Sequence, residues 1–169
     1  MQLQDFFDYK NQLVGDMLTS ERIVRLIDED TPFDEASRLM YTHVFPYEYL
    51  PDTIQDGRTF ICCDVDVQGT DWGASSRTFI QPVLYVWVCA HRSKLRLPEG
   101  GVRTDALCAE ICSKVNGSLM YGMGALDLYA VKRFAPMTDY NGKVMVFHAR
   151  EFSKQYNPDK YIPANRKNG

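Results

Sequence analysis

Ser76-Arg-Thr-Phe-Ile-Gln-Pro-Val-Leu-Tyr-Val-Trp-Val-Cys-Ala-His91 is the stretch on which the fold turns. At period two, one face carries Phe79, Gln81, Val83, Tyr85, Trp87, Cys89 and His91. The other carries Ile80, Pro82, Leu84, Val86, Val88 and Ala90. A strand of an antiparallel sheet with one wet side alternates apolar and polar residues, because only one side meets the core. Here both faces are apolar. A small domain covers one face with its own helix and has little left for the second. The Tyr85/Trp87 face is therefore either buried by the N-terminal helices of the same chain or a contact for another chain.

Outward from this strand, residues 59–68 alternate cleanly. Ile61, Cys63, Val65 and Val67 point in, and Asp64, Asp66 and Gln68 point out. The polar loop Gly69–Ser76 joins the two runs as a hairpin. On the other side, a long loop over 92–102 leads to a helix predicted over Thr104–Asn116. Thr104 is its expected N-cap, and Asn116-Gly117 its stop. Leu107, Cys108, Ile111, Cys112 and Val115 form its apolar stripe, spaced for packing on a sheet. Leu126–Phe134 and Lys143–Phe152 read as two more strands, with Asn141-Gly142 as a hairpin signal between them.

At the front, residues 3–27 read as helical with a break at Gly15 and a restart at Thr19-Ser20-Glu21. A short helix over about 32–40 follows Pro32. Tyr41–Pro51 contains Phe45 before Pro46, and Tyr47 and Tyr49 between Pro46 and Pro51, an extended stretch that must lie on something apolar, its own domain or a neighbour. The pattern predicts one α+β domain over residues 1–153: a four-stranded, largely antiparallel sheet of two hairpins with helices packed on it. A flexible or extended tail is expected over 154–169.

The composition of the 169 residues is that of an ordinary globular protein, 45% hydrophobic and 24% charged. A net charge of −3 gives no bulk attraction to nucleic acid or anionic lipid. No run approaches the roughly 20 apolar residues of a membrane span. The N-terminus lacks signal-peptide features, so synthesis and retention inside a cell are expected. Five cysteines, an odd number, read as reduced core filler rather than a disulfide framework.

Chemistry is sparse. His43, His91 and His148 are scattered, and the cysteines lack the paired C-x2-C spacing of zinc sites. Gly122-x-Gly124 precedes a strand, the wrong setting for a dinucleotide fingerprint. Asp64 and Asp66 could pair as carboxylates or hold a hard cation, but their alternation reads first as a solvated strand face. Cys89 and His91 share a face without an orienting third group. No enzyme activity, cofactor or metal is expected. Basic residues gather weakly at Arg92, Lys94, Arg96 and Arg103, at Lys132-Arg133 and at Arg166-Lys167. In a ring of identical subunits such charges would repeat around a central opening.

Several stretches carry a family likeness. They are Phe45-Pro46-Tyr47 with Leu50-Pro51, the strand from Arg77 to Val88, and Gly101-Val102-Arg103-Thr104-Asp105. Val131-Lys132-Arg133-Phe134-Ala135-Pro136 and Asp139-Tyr140-Asn141-Gly142-Lys143 complete the set. Over about residues 5–153 this layout resembles the tail-terminator and neck proteins of tailed bacteriophages, which close the tail tube and join it to the head. The resemblance implies a structural subunit without catalytic signature, assembling as a ring, commonly a hexamer, at the neck of the virion in the host cytoplasm. Implied partners are a tail-tube protein, a head-completion or connector protein, and DNA passing through the lumen without sequence readout. Tyr85, Trp87, Phe45, Tyr47 and Tyr49 are then the expected subunit contacts, and Arg92, Lys94 and Arg96 the lumen or partner-facing charges. A head-closure adaptor of the same neck and a small metal-dependent hydrolase are the alternatives.

Overall fold

The computed structural model describes residues 3–49, 57–71, 78–122, 124–149 and 153–154. Most of the expected tail lies outside the described residues. Helix α1 (Leu3–Leu18) and helix α2 (Glu21–Ile27) open the chain. Gly15 does not break α1; it sits on the exposed side, where lacking a side chain costs no packing. The break falls at Thr19-Ser20. There the Ser20 hydroxyl accepts the Ile23 N–H and caps α2. A 3-10 segment, Phe33–Leu39, follows Pro32.

The sheet has five strand positions rather than four, and it is mixed. Its order is β1 (Val44–Phe45), β2 (Thr59–Asp71), β3 (Thr78–His91), β5 (Tyr140–Ala149), β4 (Leu126–Phe134). The two-residue β6 (Ser153–Lys154) pairs with β3 further along the lane that β5 occupies. The additional position is β1, parallel to β2 through Val44–Ile61 and Phe45–Cys62. Pro46 ends it at once. A proline is tolerated there because β1 is an edge with no further partner to serve.

The second hairpin differs from expectation at its turn. Residues 135–139 connect β4 to β5, and Asn141-Gly142 lies inside β5. A Cβ on Gly142 would stand 2.2 Å from the Val88 carbonyl oxygen and 2.6 Å from Cys89 Sγ. The glycine thus serves close strand approach, not turn formation.

Helix α3 (Arg103–Val115) starts one residue earlier than predicted. Its N-cap is Val102, which makes no side-chain cap bond, and Thr104 is buried in the first turn. Asn116 and Gly117 end it as expected, with Gly117 at φ 77° donating its N–H to the Leu126 carbonyl.

All three helices share one face of the sheet. Leu13, Val14 and Met17 of α1, Ile23 and Val24 of α2, and Leu107 and Ile111 of α3 form one core with Ile61, Leu84, Val86, Val88 and Phe147. Burying each such aliphatic side chain contributes about 1.5–3 kcal/mol. Among the described residues the other sheet face receives no helix.

Candidate functional site

The helix-free face is the site the fold presents. Strand register fixes who stands beside whom: Cys62, Trp87, Val144 and Lys132 form one row across β2, β3, β5 and β4. Asp64, Tyr85, Val146 and Ala130 form the next, and Asp66, Val83, His148 and Asp127 the one after.

One end of this face is closed by the chain's own aromatics. Phe45, Phe60, Cys62, Cys89 and Tyr140 make a second, smaller core, with Tyr49, Trp87, Phe134 and Met137 packed on its rim. Phe45 stacks on Tyr49 with centroids 4.1 Å apart, and Tyr47 meets Phe45 edge-on at 5.7 Å. The proline-stiffened stretch therefore lies on its own sheet. Phe45 is 4% exposed and is core, not a surface offered to a neighbour. Tyr47 remains exposed, and Tyr49 is partly covered.

The middle of the face stays open. Tyr85 and Trp87 are only partly buried and stack on each other at 5.6 Å and 18°. Beyond them Tyr129, 69% exposed, stacks on His148 at 4.2 Å and 11°. Sequence alternation alone hides Tyr129, because a register shift between Leu128 and Ala130 interrupts β4 there. Nothing in the sequence marks that bulge. The Tyr85–Trp87 pair, beside Val144, and the Tyr129–His148 pair two rows away leave partly exposed aromatic surface of the kind that a protein partner covers.

The predicted basic residues do not gather on this face. Arg92 pairs with Asp139 at 3.3 Å, and Lys94 and Arg96 are exposed on the loop before α3. Arg103 is no surface charge at all. It is 3% exposed, and its Nε donates to the Lys94 carbonyl at 2.6 Å. One terminal nitrogen donates to the Leu26 carbonyl at 2.8 Å, and the other meets the Glu29 carboxylate. That bond and the guanidinium charge hold the Glu29 carboxyl below its usual range.

Of the groups weighed for catalysis, Asp64, Cys89 and His91 are engaged or buried, while Asp66 is exposed. Asp64 accepts from Lys10 of α1 at 2.9 Å and caps the Val65 N–H at 2.8 Å. Cys89 is fully buried, and burial pushes its thiol up to about 12; burial does the same to Cys62. His91 is engaged by Ser93 at 2.7 Å. All five cysteines are free thiols. Among the described residues no group of three His, Cys, Asp or Glu side chains stands at metal spacing. A cleft of about 210 Å3 between the end of α2 and the start of β2 is lined by Asp28, Glu29, Asp30, His43, Arg58 and Lys94. Its charges are mixed and single out no ligand.

Among the described residues, three helices on one side of a five-position mixed sheet, with aromatic side chains partly open on the other, define an α+β domain. The YomW family model matches residues 20–149, and the chain belongs to that family. The family carries the name of a Bacillus prophage gene, which agrees with a phage origin. No curated protein matches the chain. No helix among the described residues is long and apolar enough to cross a membrane.

Proposed function

We propose that this chain is a structural virion protein that assembles as a ring at the tail–head junction of a phage, ending the tail tube or joining it to the head. The observation that carries this reading is the open sheet face. Tyr85 and Trp87 are stacked on each other and only partly buried, while every helix among the described residues packs on the opposite side. Leaving that apolar surface wet costs free energy at about 25 cal/mol per Å2, and a neighbouring chain that covers it recovers the cost. The phage-related family name supports the setting. In this reading the exposed Lys94 and Arg96 give the ring repeated positive charge near the path of DNA, without reading its sequence.

Trp87→Asp tests the face. A carboxylate there meets solvent in the lone subunit but is buried unpaired beneath a neighbour. The variant is expected to keep the circular dichroism and melting temperature of the parent. It should fail to bind the tail tubes of its phage, which the parent is expected to cap in negative-stain images. If the variant unfolds instead, Trp87 belongs to the core and the face is not an interface.

A further inference from the structure

Among the described residues the sheet has two free half-edges, and they are complementary. At one side β1 covers only Ile61 and Cys62 of β2. The Asp64 carboxylate, held by Lys10, caps the Val65 N–H and guards the next position. From Asp66 onward, no described residue is hydrogen-bonded to the outer edge of β2. At the other side, the Leu126 carbonyl accepts from the Gly117 N–H and the Leu128 N–H donates to the Asn116 side chain. From Ala130 to Phe134 the outer edge of β4 likewise has no described partner. Open edges of this kind invite another strand.

We propose that β4 of one copy pairs antiparallel with β2 of the next, and that this seam joins the subunits of the ring. The proposal rests on the ring reading above and names its lateral contact. Successive pairs β2–β3, β3–β5 and β5–β4 are all antiparallel, so β4 runs opposite to β2. Setting β4 beside the next copy's β2 in the same orientation continues the alternation without a break. A single register then satisfies both faces. With Lys132 opposite Asp66, Val131 falls opposite Val67, because antiparallel partners step in opposite directions.

The faces agree as well. Lys132 and Asp66 stand on the helix-free side, in the rows of Trp87 and Val83 respectively. Both are exposed. Val131 and Val67 stand on the helix side, 46% and 38% exposed at opposite edges of the sheet, and the seam buries each against the other. In the symmetric registers centred on these residues like edges repel: β2 on β2 would bring Asp66 carboxylates together, and β4 on β4 Lys132 ammonium groups. The pairing is therefore heterologous, the kind that closes into rings. It leaves the Tyr85/Trp87 face for a chain stacked on the ring.

The test uses the full chain with Cys112→Ser, which removes the most accessible native thiol. Val67→Cys and Val131→Cys are made in separate chains, mixed and oxidised. The seam predicts a disulfide dimer in the mixture and little in either variant alone. Lys132→Glu should weaken self-association several-fold, and adding Asp66→Lys to the same chain should restore it. Absence of the mixed cross-link overturns the seam. If rings still form without it, the ring reading survives on another contact; if neither appears, both fail.

Discussion

Arg103 sets a guanidinium between the end of α2 and the loop that precedes α3, with three acceptors from three segments: Leu26, Glu29 and Lys94. Arg103→Ala leaves two carbonyls without their donor and removes the partner of Glu29. An expected cost of about 3 kcal/mol follows, a drop of roughly 10 °C in a thermal melt for a chain of this size. Arg103→Lys should recover only part, since one ammonium group does not reach three separated acceptors. An unchanged melt for Arg103→Ala would mean that the network is not structural. In the sequence Arg103 is one basic residue among several near a loop. Its burial depends on where α2 ends in space, which local pattern does not carry. Phe45 is the opposite case: its apolar character was legible, but whether it covers its own sheet or a neighbour's is a tertiary fact.

Among the elements, β3 was the most legible, because its two apolar faces required cover on both sides. Helix α3 was nearly as clear from its stripe. The β4–β5 turn was not, since Asn141-Gly142 carries a turn signature for an unrelated steric reason. Gly142→Ala drives a methyl group toward the Val88 carbonyl and Cys89 Sγ, so β5 must move off β3. Overpacking of this kind costs about 1–3 kcal/mol. Amide exchange should accelerate across Tyr140–Ala149 more than in β2, and equal protection in both strands would count against the close approach. Strand β1 escaped sequence reading because two residues are too short to show alternation. The bulge that frees Tyr129 escaped for a similar reason, as it is defined only against its partner strand.

For the whole molecule, acid is expected to loosen the fold before the carboxylates titrate. Burial lowers the His43 pKa from its ordinary 6.5, against the attraction of Asp28 and with the repulsion of Arg58. The unfolded chain then binds more protons than the folded one, so stability is full above 6.5 and declines as pH falls below it. The Glu29 carboxyl, held low by Arg103, adds its own loss only further into the acid range, below 4.5. Melting temperature should fall from about pH 7 to about pH 5, and His43→Gln should flatten that slope. An identical slope in the variant would assign the acid response elsewhere.

The helix-bearing half of the sheet was readable from its stripes. The open half was readable only as a face in need of cover, because the sequence does not say on which side the N-terminal helices settle. They settle beside α3, and among the described residues the Tyr85/Trp87 face stays partly open. Negative-stain imaging of the purified chain, alone and with tail tubes, tests that account most directly. It predicts closed rings with a central hole, free or seated on tube ends. A uniform field of monomers under both conditions would contradict it.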